Sequence, residues 1–296
     1  MIDWHNYGWT ILSGTRGPRH PLVFLSKLYE CYFGRLGDFH LTVTRAMARQ
    51  LRDAPYKIAK PMLDVHDRPA AIFQPLASLQ CSRQYVLNRV IADKTLLPPL
   101  LNGSMRLIVS STSWTPDEDF SILLDALTRY APNAPVPVLA IITGKGPQKE
   151  MYLQKIEELT KAGRLPNVRV KTTFLPFEEY AKLLACADLG ICLHMSSSGV
   201  DLPMKVVDMF GAGLPVAAYS GYESFGELVK EGENGRGFET AEELAGILGH
   251  LLSDDGKDEL KVLKAGAVRE GGRRWDEEWD ATVGVAMGFT SKKTNS

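Results

Sequence analysis

The sequence predicts an α/β protein whose main unit is a doubly wound parallel sheet. Three observations carry that reading. From Met105 onward, short strands that are apolar throughout alternate with helical segments, the pattern of parallel strands buried on both faces between helices. Small polar or glycine-rich turns follow several of these strands, where open parallel sheets bind their ligands. A length of 296 residues allows two ordinary domains or one large one.

The elements follow in order. The first hundred residues are short of clear strands and open abruptly on Asp3-Trp4-His5-Asn6-Tyr7-Gly8. Residues 21–33 read as a helix, because Leu22, Leu25, Leu28, Tyr29, Tyr32 and Phe33 recur near helical spacing while Ser26, Lys27 and Glu30 interrupt the apolar run. Two readings stand for it: a helix facing the core, or one leaning on a membrane surface. Residues 40–44 read as a short buried strand and 46–51 as a helix. The stretch 53–75, rich in Pro and Asp, reads as strand and loop, and 96–103 as a linker.

Strands are then expected at 106–111, 136–142, 167–174, 189–193 and 215–219. Helices are expected at 119–130, 148–162, 177–187, 203–211 and 241–252, with a last helical region at 256–285. This divides the chain into 1–101, 102–285 and a tail, 286–296.

Composition narrows the function classes. Apolar residues make up 45% and charged residues 23%, ordinary globular values. A net charge of −1 lacks the basic excess of a nucleic-acid binder. The cysteines, Cys31, Cys81, Cys186 and Cys192, are scattered without a CxxC pair. That argues against zinc or disulfide frameworks and for a reducing, cytosol-facing compartment. The sequence shows neither a signal peptide nor an apolar run long enough to span a bilayer.

Two turns draw attention. Thr143-Gly144-Lys145-Gly146-Pro147 joins a buried strand to a helix. Its glycines let amides approach an anion, and Lys145 adds a charge; the plainer reading is a tight turn. Ser196-Ser197-Ser198-Gly199-Val200-Asp201-Leu202-Pro203 leads into the helix holding Lys205 and Asp208. Amides of Ser197, Ser198 and Gly199 at a helix start favour a diphosphate. A lysine in a first helical turn opposes the helix dipole unless it faces an anion. Asp208, three residues on and on the same face, is suited to sugar or ribose hydroxyls; the plainer reading is a surface Lys–Asp pair.

Longer motifs then agree in order. Ser111 to Leu124, Ile142 to Pro147, Ala187 to His194 and Ser196 to Gly211, followed by Gly211-Ala212-Gly213-Leu214-Pro215-Val216, resemble one family. So do the opening Ile2 to Gly8, Gly17 to Leu22 and Arg274 to Trp279. That family is the chitobiosyldiphosphodolichol β-mannosyltransferases, and the resemblance covers nearly the whole chain. It implies a GT-B fold of two Rossmann-like domains with parallel sheets, the N-terminal one incomplete. It implies GDP-mannose as donor, dolichol-diphosphate-linked chitobiose as acceptor, and a β-1,4 linkage made with inversion. It also implies work at the cytosolic face of the endoplasmic reticulum membrane, beside other mannosyltransferases there. No cofactor and no metal are expected, since GT-B enzymes hold the departing diphosphate with amides and basic side chains.

Under the resemblance, Lys205 and the amides of Ser197 to Gly199 would hold the diphosphate and Asp208 the hydroxyls. Gly144 and Lys145 would line the guanosine-diphosphate side, and His5 and Asp3 would be catalytic candidates near the acceptor, His5 reading otherwise as a structural hydrogen-bonded histidine. His194, ending a strand beside the serine loop, is either a second such candidate or a structural histidine. Asp117, Glu118 and Asp119 read either as a source of the base or as the N-cap and first-turn acids of the next helix. Trp275 and Trp279 read as sugar-stacking rings or, more simply, as packing that docks the last helix back across the domains.

The pattern departs from broader GT-B enzymes in two places. The loop 113–119 has no basic residue, and Asp201 and Asp208 stand where two glutamates would flank the donor helix, at different spacing. Members of the family begin with a membrane anchor and the first strands of the N-terminal domain, whereas this sequence starts inside that domain. The alternative expectation is therefore a truncated, non-catalytic nucleotide-sugar-binding or partner module.

Overall fold

The structure, a computed structural model, describes residues 1–290; of the tail expected at 286–296, the last six residues lie outside it. A first lobe contains β1 (Ile2–Trp4), α1 (Gly8–Arg16), α2 (Pro21–Phe33), β2 (His40–Thr42), α3 (Arg45–Arg52) and β3 (Met62–Asp64). Its strands are parallel in the order β1-β2-β3, with Asp3 opposite Leu41 and Leu41 opposite Leu63. Thr44 caps α3 by accepting the Met47 amide at 3.0 Å.

After α4 (Arg83–Val90) and α5 (Leu97–Asn102), the second lobe begins at β4 (Arg106–Ser111). It continues through α6 (Phe120–Tyr130), β5 (Val138–Thr143), α7 (Lys149–Lys161), β6 (Val168–Thr173), α8 (Phe177–Cys186) and β7 (Leu189–Cys192). Next come α9 (Met204–Gly211), β8 (Val216–Tyr219), α10 (Phe225–Leu228), β9 (Gly235–Phe238) and α11 (Ala241–Leu251). α12 (Lys257–Gly271) and α13 (Trp275–Trp279) finish it, with a π-helical turn over Asp280–Gly284. The six strands are all parallel in the order β6-β5-β4-β7-β8-β9. That order reverses between β4 and β7, so a crevice opens at the carboxyl ends of β4 and β7.

Apolar burial fixes this arrangement. β5 is buried along its whole length, and α6 turns Phe120, Leu123, Leu124 and Leu127 inward, each such side chain contributing about 1.5–3 kcal/mol. One core runs through both lobes, joining Trp4, Met47 and Tyr56 to Val207 and Phe210.

The structure differs from the sequence reading in several places. Residues 96–103 are not a linker: Pro98 and Pro99 sit in the first turn of α5, where a fixed φ favours helix. The expected boundary at 101/102 therefore falls inside a helix. α4, expected in the first lobe, packs on α8 of the second, and Arg83 donates to Cys186 O at 3.0 Å and Asp188 at 3.2 Å. Conversely, the chain end crosses back, with Trp279 and Val283 packing on Leu41 and Val65 of the first lobe. Trp279 thus docks as the simpler reading of the tryptophan pair expected. β9 had no strand signal because two of its four residues are glycines.

The structure also corrects the reading of α2. Its core-facing reading fails, since Leu22, Leu25, Leu28, Tyr29, Tyr32 and Phe33 are all exposed.

Candidate active site

The carboxyl ends of β4, β5 and β6 meet α9 around a cleft of about 620 Å³. Its walls are built from the chain upward. After β4, Ser111 to Thr115 turn sharply, with Trp114 at a φ of 52°, in the left-handed region that bulky residues avoid. Burial holds it there. The indole is fully enclosed, with its ring centroid 4.7 Å from that of Phe120 and 6.1 Å from that of Tyr152.

This turn wraps around Glu118, which is 2% exposed. The carboxylate accepts from Thr112 Oγ1 at 3.0 Å, Ser113 N at 2.5 Å and Ser113 Oγ at 2.8 Å. It also pairs directly with the Lys205 ammonium, which arrives from the first turn of α9. Asp119, its neighbour, caps α6 through the Ser121 amide at 2.9 Å. Of the three acids at 117–119, the first-turn reading thus describes Asp119, while Glu118 is an internal counter-charge.

The glycine turn after β5 lies against the β4 turn. Gly144 has a φ of +131°, and a Cβ there would meet Thr112 O at 1.8 Å. A Cβ on Gly146 would meet Ser113 O at 1.7 Å. Close packing of two backbones therefore requires both glycines. Lys145, between them, holds its ammonium 3.8 Å from the centre of the Phe174 ring, a cation–π contact at the cleft mouth. Phe174 and Phe177 supply an exposed aromatic wall, and Tyr180 OH meets Ser111 Oγ at 2.8 Å.

Electrostatics divide the two α9 residues. Burial pulls the Lys205 ammonium down to about 8, against the opposing charge of Asp117. Contact with the Glu118 carboxylate also favours its charged form, so Lys205 is a cation at neutral pH. Burial alone pushes the Asp208 carboxyl up to about 7. A carboxyl there titrates at the pH where the cell works.

The serine loop is placed elsewhere. Gly199 N donates to Ser196 Oγ at 2.8 Å, so that amide is already engaged. Ser198 Oγ accepts the Val200 amide at 3.4 Å. Ser197 Oγ lies 3.2 Å from Thr10 Oγ1 of α1, and Thr44 Oγ1 donates to Val200 O at 2.6 Å. Ser197 and Val200 thus join the loop to the first lobe, while Ser198 and Gly199 bond within the loop; Gly144, Lys145, Lys205 and Asp208 share the cleft.

A third group spans the lobes. His194 Nε2 lies 3.1 Å from Asp201 Oδ2, which also accepts from Asn6 Nδ2 at 3.1 Å. Burial pushes the Asp201 carboxyl up, but the hydrogen bond and charge of His194 outweigh it and leave the group below its ordinary range. Next to Asn6, His5 Nε2 meets Asp3 at 3.1 Å and its Nδ1 lies 3.7 Å from Asp67. The Asp67 carboxylate is the main cause that lifts His5 to about 9, burial opposing and Asp3 adding. His5 is therefore an imidazolium at neutral pH and has no lone pair with which to take a proton.

Sequence reasoning weighed Glu118 without its inward pairing, and passed over Asn6 and Tyr180. For Glu118, an acid next to an N-cap looks the same whether it points out or in. Asn6 lies in the opening motif Asp3 to Gly8, but its partner Asp201 is 195 residues away.

Residues 105–254 match the family model described as Glycosyl transferases group 1. A relative from Arthroderma benhamiae, named chitobiosyldiphosphodolichol beta-mannosyltransferase, is 50% identical over 98% of this chain and 66% of its own length. One from Mus musculus with the same name is 42% identical over 96% of this chain and 63% of its own. The chain thus spans slightly less than two thirds of either relative. Among solved structures, Anabaena Alr3699/HepE in complex with UDP and glucose aligns with a TM-score of 0.68 at 15% identity. It covers 97% of this chain and 70% of its own, which shows the shared GT-B fold. By the family match and these identities, the chain belongs to the group 1 glycosyl transferases, in the family of the chitobiosyldiphosphodolichol beta-mannosyltransferases.

Proposed function

We propose that the cleft binds GDP-mannose and that mannose passes from it to chitobiose on a dolichol diphosphate, with inversion, at the cytosolic face of the endoplasmic reticulum membrane. One observation carries the reading: two lysines, Lys145 and Lys205, and the acid Asp208 converge on one cleft at the carboxyl ends of a parallel sheet. That grouping suits a diphosphate flanked by hydroxyls. The relatives' printed names supply the lipid-linked acceptor.

In this reading Lys205 holds the diphosphate and takes up the charge that grows as the sugar–phosphate bond breaks. Lys145 lies beside it, and the base packs along the Phe174–Phe177 wall. Asp208 accepts hydrogen bonds from ribose or mannose hydroxyls. The acceptor hydroxyl attacks the anomeric carbon in line, its oxygen forms the new glycosidic bond, GDP leaves with the electron pair of the broken bond, and the hydroxyl proton passes to a base. His5, as a cation, serves the acceptor diphosphate. The carboxylates flanking it, Asp3 and Asp67, are the proton acceptors on that lip.

The test is transfer of labelled mannose from GDP-mannose to a chitobiosyl-diphosphate lipid, with GDP binding measured in parallel. Transfer to the lipid supports the reading. GDP binding without transfer, also with the chain extended to the relatives' length, would replace it with a donor-binding module. Absence of GDP binding would overturn the donor assignment.

A further inference from the structure

The outward face of α2 is built against the usual rule. A surface helix of a soluble domain turns its apolar side in and its polar side out. In α2 the inward half carries Ser26, Lys27 and Glu30 beside Val23 and Cys31. Glu30 accepts the Trp9 amide at 3.0 Å, and the Lys27 ammonium sits 4.3 Å from the centre of the Trp9 ring. These polar contacts attach α2 to α1. The outward half presents Phe24, Leu25, Leu28, Tyr29, Tyr32 and Phe33, each between 46% and 64% exposed. Their rings meet only one another on that side, at 4.5 Å for Tyr29–Phe33 and 5.2 Å for Tyr32–Phe33.

We propose that this face of α2 lies in the interfacial layer of an anionic lipid bilayer. Three observations choose a bilayer over another protein surface. The segment that carries the helix is basic: residues 16–38 hold four Lys and Arg against two Asp and Glu, although the whole chain is at −1. Arg16 and Arg19, which precede the helix, are exposed, which suits lipid phosphates and carboxylates. The apolar face mixes Leu and Phe with two tyrosines, whose rings enter the acyl boundary while their hydroxyls stay wet. Finally, α2 has 13 residues, and no helix among the described residues is long and apolar enough to cross a membrane. A helix of that length lies along the surface.

The placement deepens the proposed function and rests on it for its purpose. α1, the helix that α2 covers, touches the serine loop of the second lobe through Thr10 and Ser197. A bilayer on α2 would therefore lie one helix away from the junction of the lobes, where a lipid-linked acceptor has to enter.

The experiment is flotation of the purified chain with phosphatidylcholine vesicles, with and without phosphatidylserine and without any acceptor lipid. The wild-type chain should float with the phosphatidylserine vesicles, and less so in high salt. A variant carrying Leu25→Ser, Leu28→Ser, Tyr29→Ser and Tyr32→Ser should partition about a hundredfold less. These positions are exposed, so the changes open no cavity. Arg16→Glu with Arg19→Glu should weaken binding by about tenfold or more with the apolar face intact. A wild-type chain that stays with the soluble fraction would overturn the proposal. So would undiminished flotation of the fourfold variant, or a dimer in light scattering that the fourfold variant dissolves, which would make a second copy the occupant. Flotation without mannose transfer would uphold this surface and count against the function; transfer without flotation would do the reverse.

Discussion

Lys205 and Glu118, 87 residues apart in the chain, form an ion pair whose acid is almost wholly buried. The pair explains why a lysine occupies the first turn of α9, where the helix dipole disfavours a cation. Its charge is answered from below by Glu118, which is fixed in turn by Thr112 and Ser113. Lys205 thus reaches the cleft preorganised and charged, and a bound diphosphate would share it with Glu118.

Replacing Lys205 by Met should do two separable things. It strands a buried carboxylate, which costs about 3–5 kcal/mol of stability. It also removes a charged partner of the diphosphate, which should weaken GDP binding by roughly ten- to a hundredfold. Adding Glu118→Gln to Lys205→Met should return most of the stability and none of the affinity. Urea unfolding and calorimetric GDP titration read the two effects independently. Wild-type GDP affinity in the double variant would remove Lys205 from the donor site.

Asp208 gives a pH signature. Its carboxyl is raised from 3.8 to about 7 by burial. Below 3.8 it is protonated folded and unfolded, and contributes nothing. Between there and 7 the unfolded chain loses the proton first, so stability falls as pH rises, then levels off. Asp208→Asn should therefore be more stable than wild type at pH 8, by up to about 4 kcal/mol, and equal to it near pH 3. Donor binding should run the other way: in the wild type it strengthens as the carboxylate forms around pH 7, and the Asn variant shows no such rise. Equal stability of the two proteins across the range would place Asp208 in water.

How much of this was legible in the sequence follows from the range of the interactions. The parallel sheet was readable because β4, β5 and β7 announce their burial in continuous apolar runs. α2 was readable as a helix, but periodicity reports only that one side is apolar. Which side faces the protein is decided by Glu30 and Lys27 binding α1, and no pattern within α2 records that. Lys205 drew attention because a cation opposes the dipole in a first helical turn, Lys145 because it sits in a glycine turn after a buried strand, and Asp208 because it follows on the Lys205 face. Glu118 breaks none, and its role exists only once α9 is folded over it. The contacts of α4 and Trp279 with the opposite lobe were hidden for the same reason: their partners, Asp188 and Leu41, are distant in the chain.

Arg68 ties the chain end to the first lobe. Its side chain is 2% exposed and bonds Glu270 at 2.6 Å and Glu278 at 2.8 Å. Arg68→Met should destabilise the protein by up to about 3–5 kcal/mol, because two nearly buried carboxylates are left with only the half-exposed Arg273 as counter-charge. Joining Glu270→Gln and Glu278→Gln to it should recover much of that loss. Limited proteolysis near residue 273 should then distinguish the single variant, with its α13 released, from the triple variant. An Arg68→Met protein that melts with the wild type would mean the pair is held open by water.

His5 tests the acceptor side. Asp3 lies nearer to it, at 3.1 Å against 3.7 Å for Asp67. Yet the Asp3 side chain is 49% exposed and that of Asp67 17%, so water screens Asp3 more and Asp67 dominates the shift. With the folded value raised from 6.5 to about 9, the stability His5 contributes is complete below 6.5 and is lost as pH climbs through 9. In a proton NMR titration its ring resonance should move with a midpoint near 9. Asp67→Asn should lower that midpoint further than Asp3→Asn. If the imidazolium holds the acceptor diphosphate, mannose transfer falls along the same curve above pH 8, mainly through a higher KM for the lipid acceptor, and His5→Gln is slow and flat across it. A titration midpoint at the ordinary histidine value would make His5 a neutral base and make transfer rise, rather than fall, as the ring loses its proton.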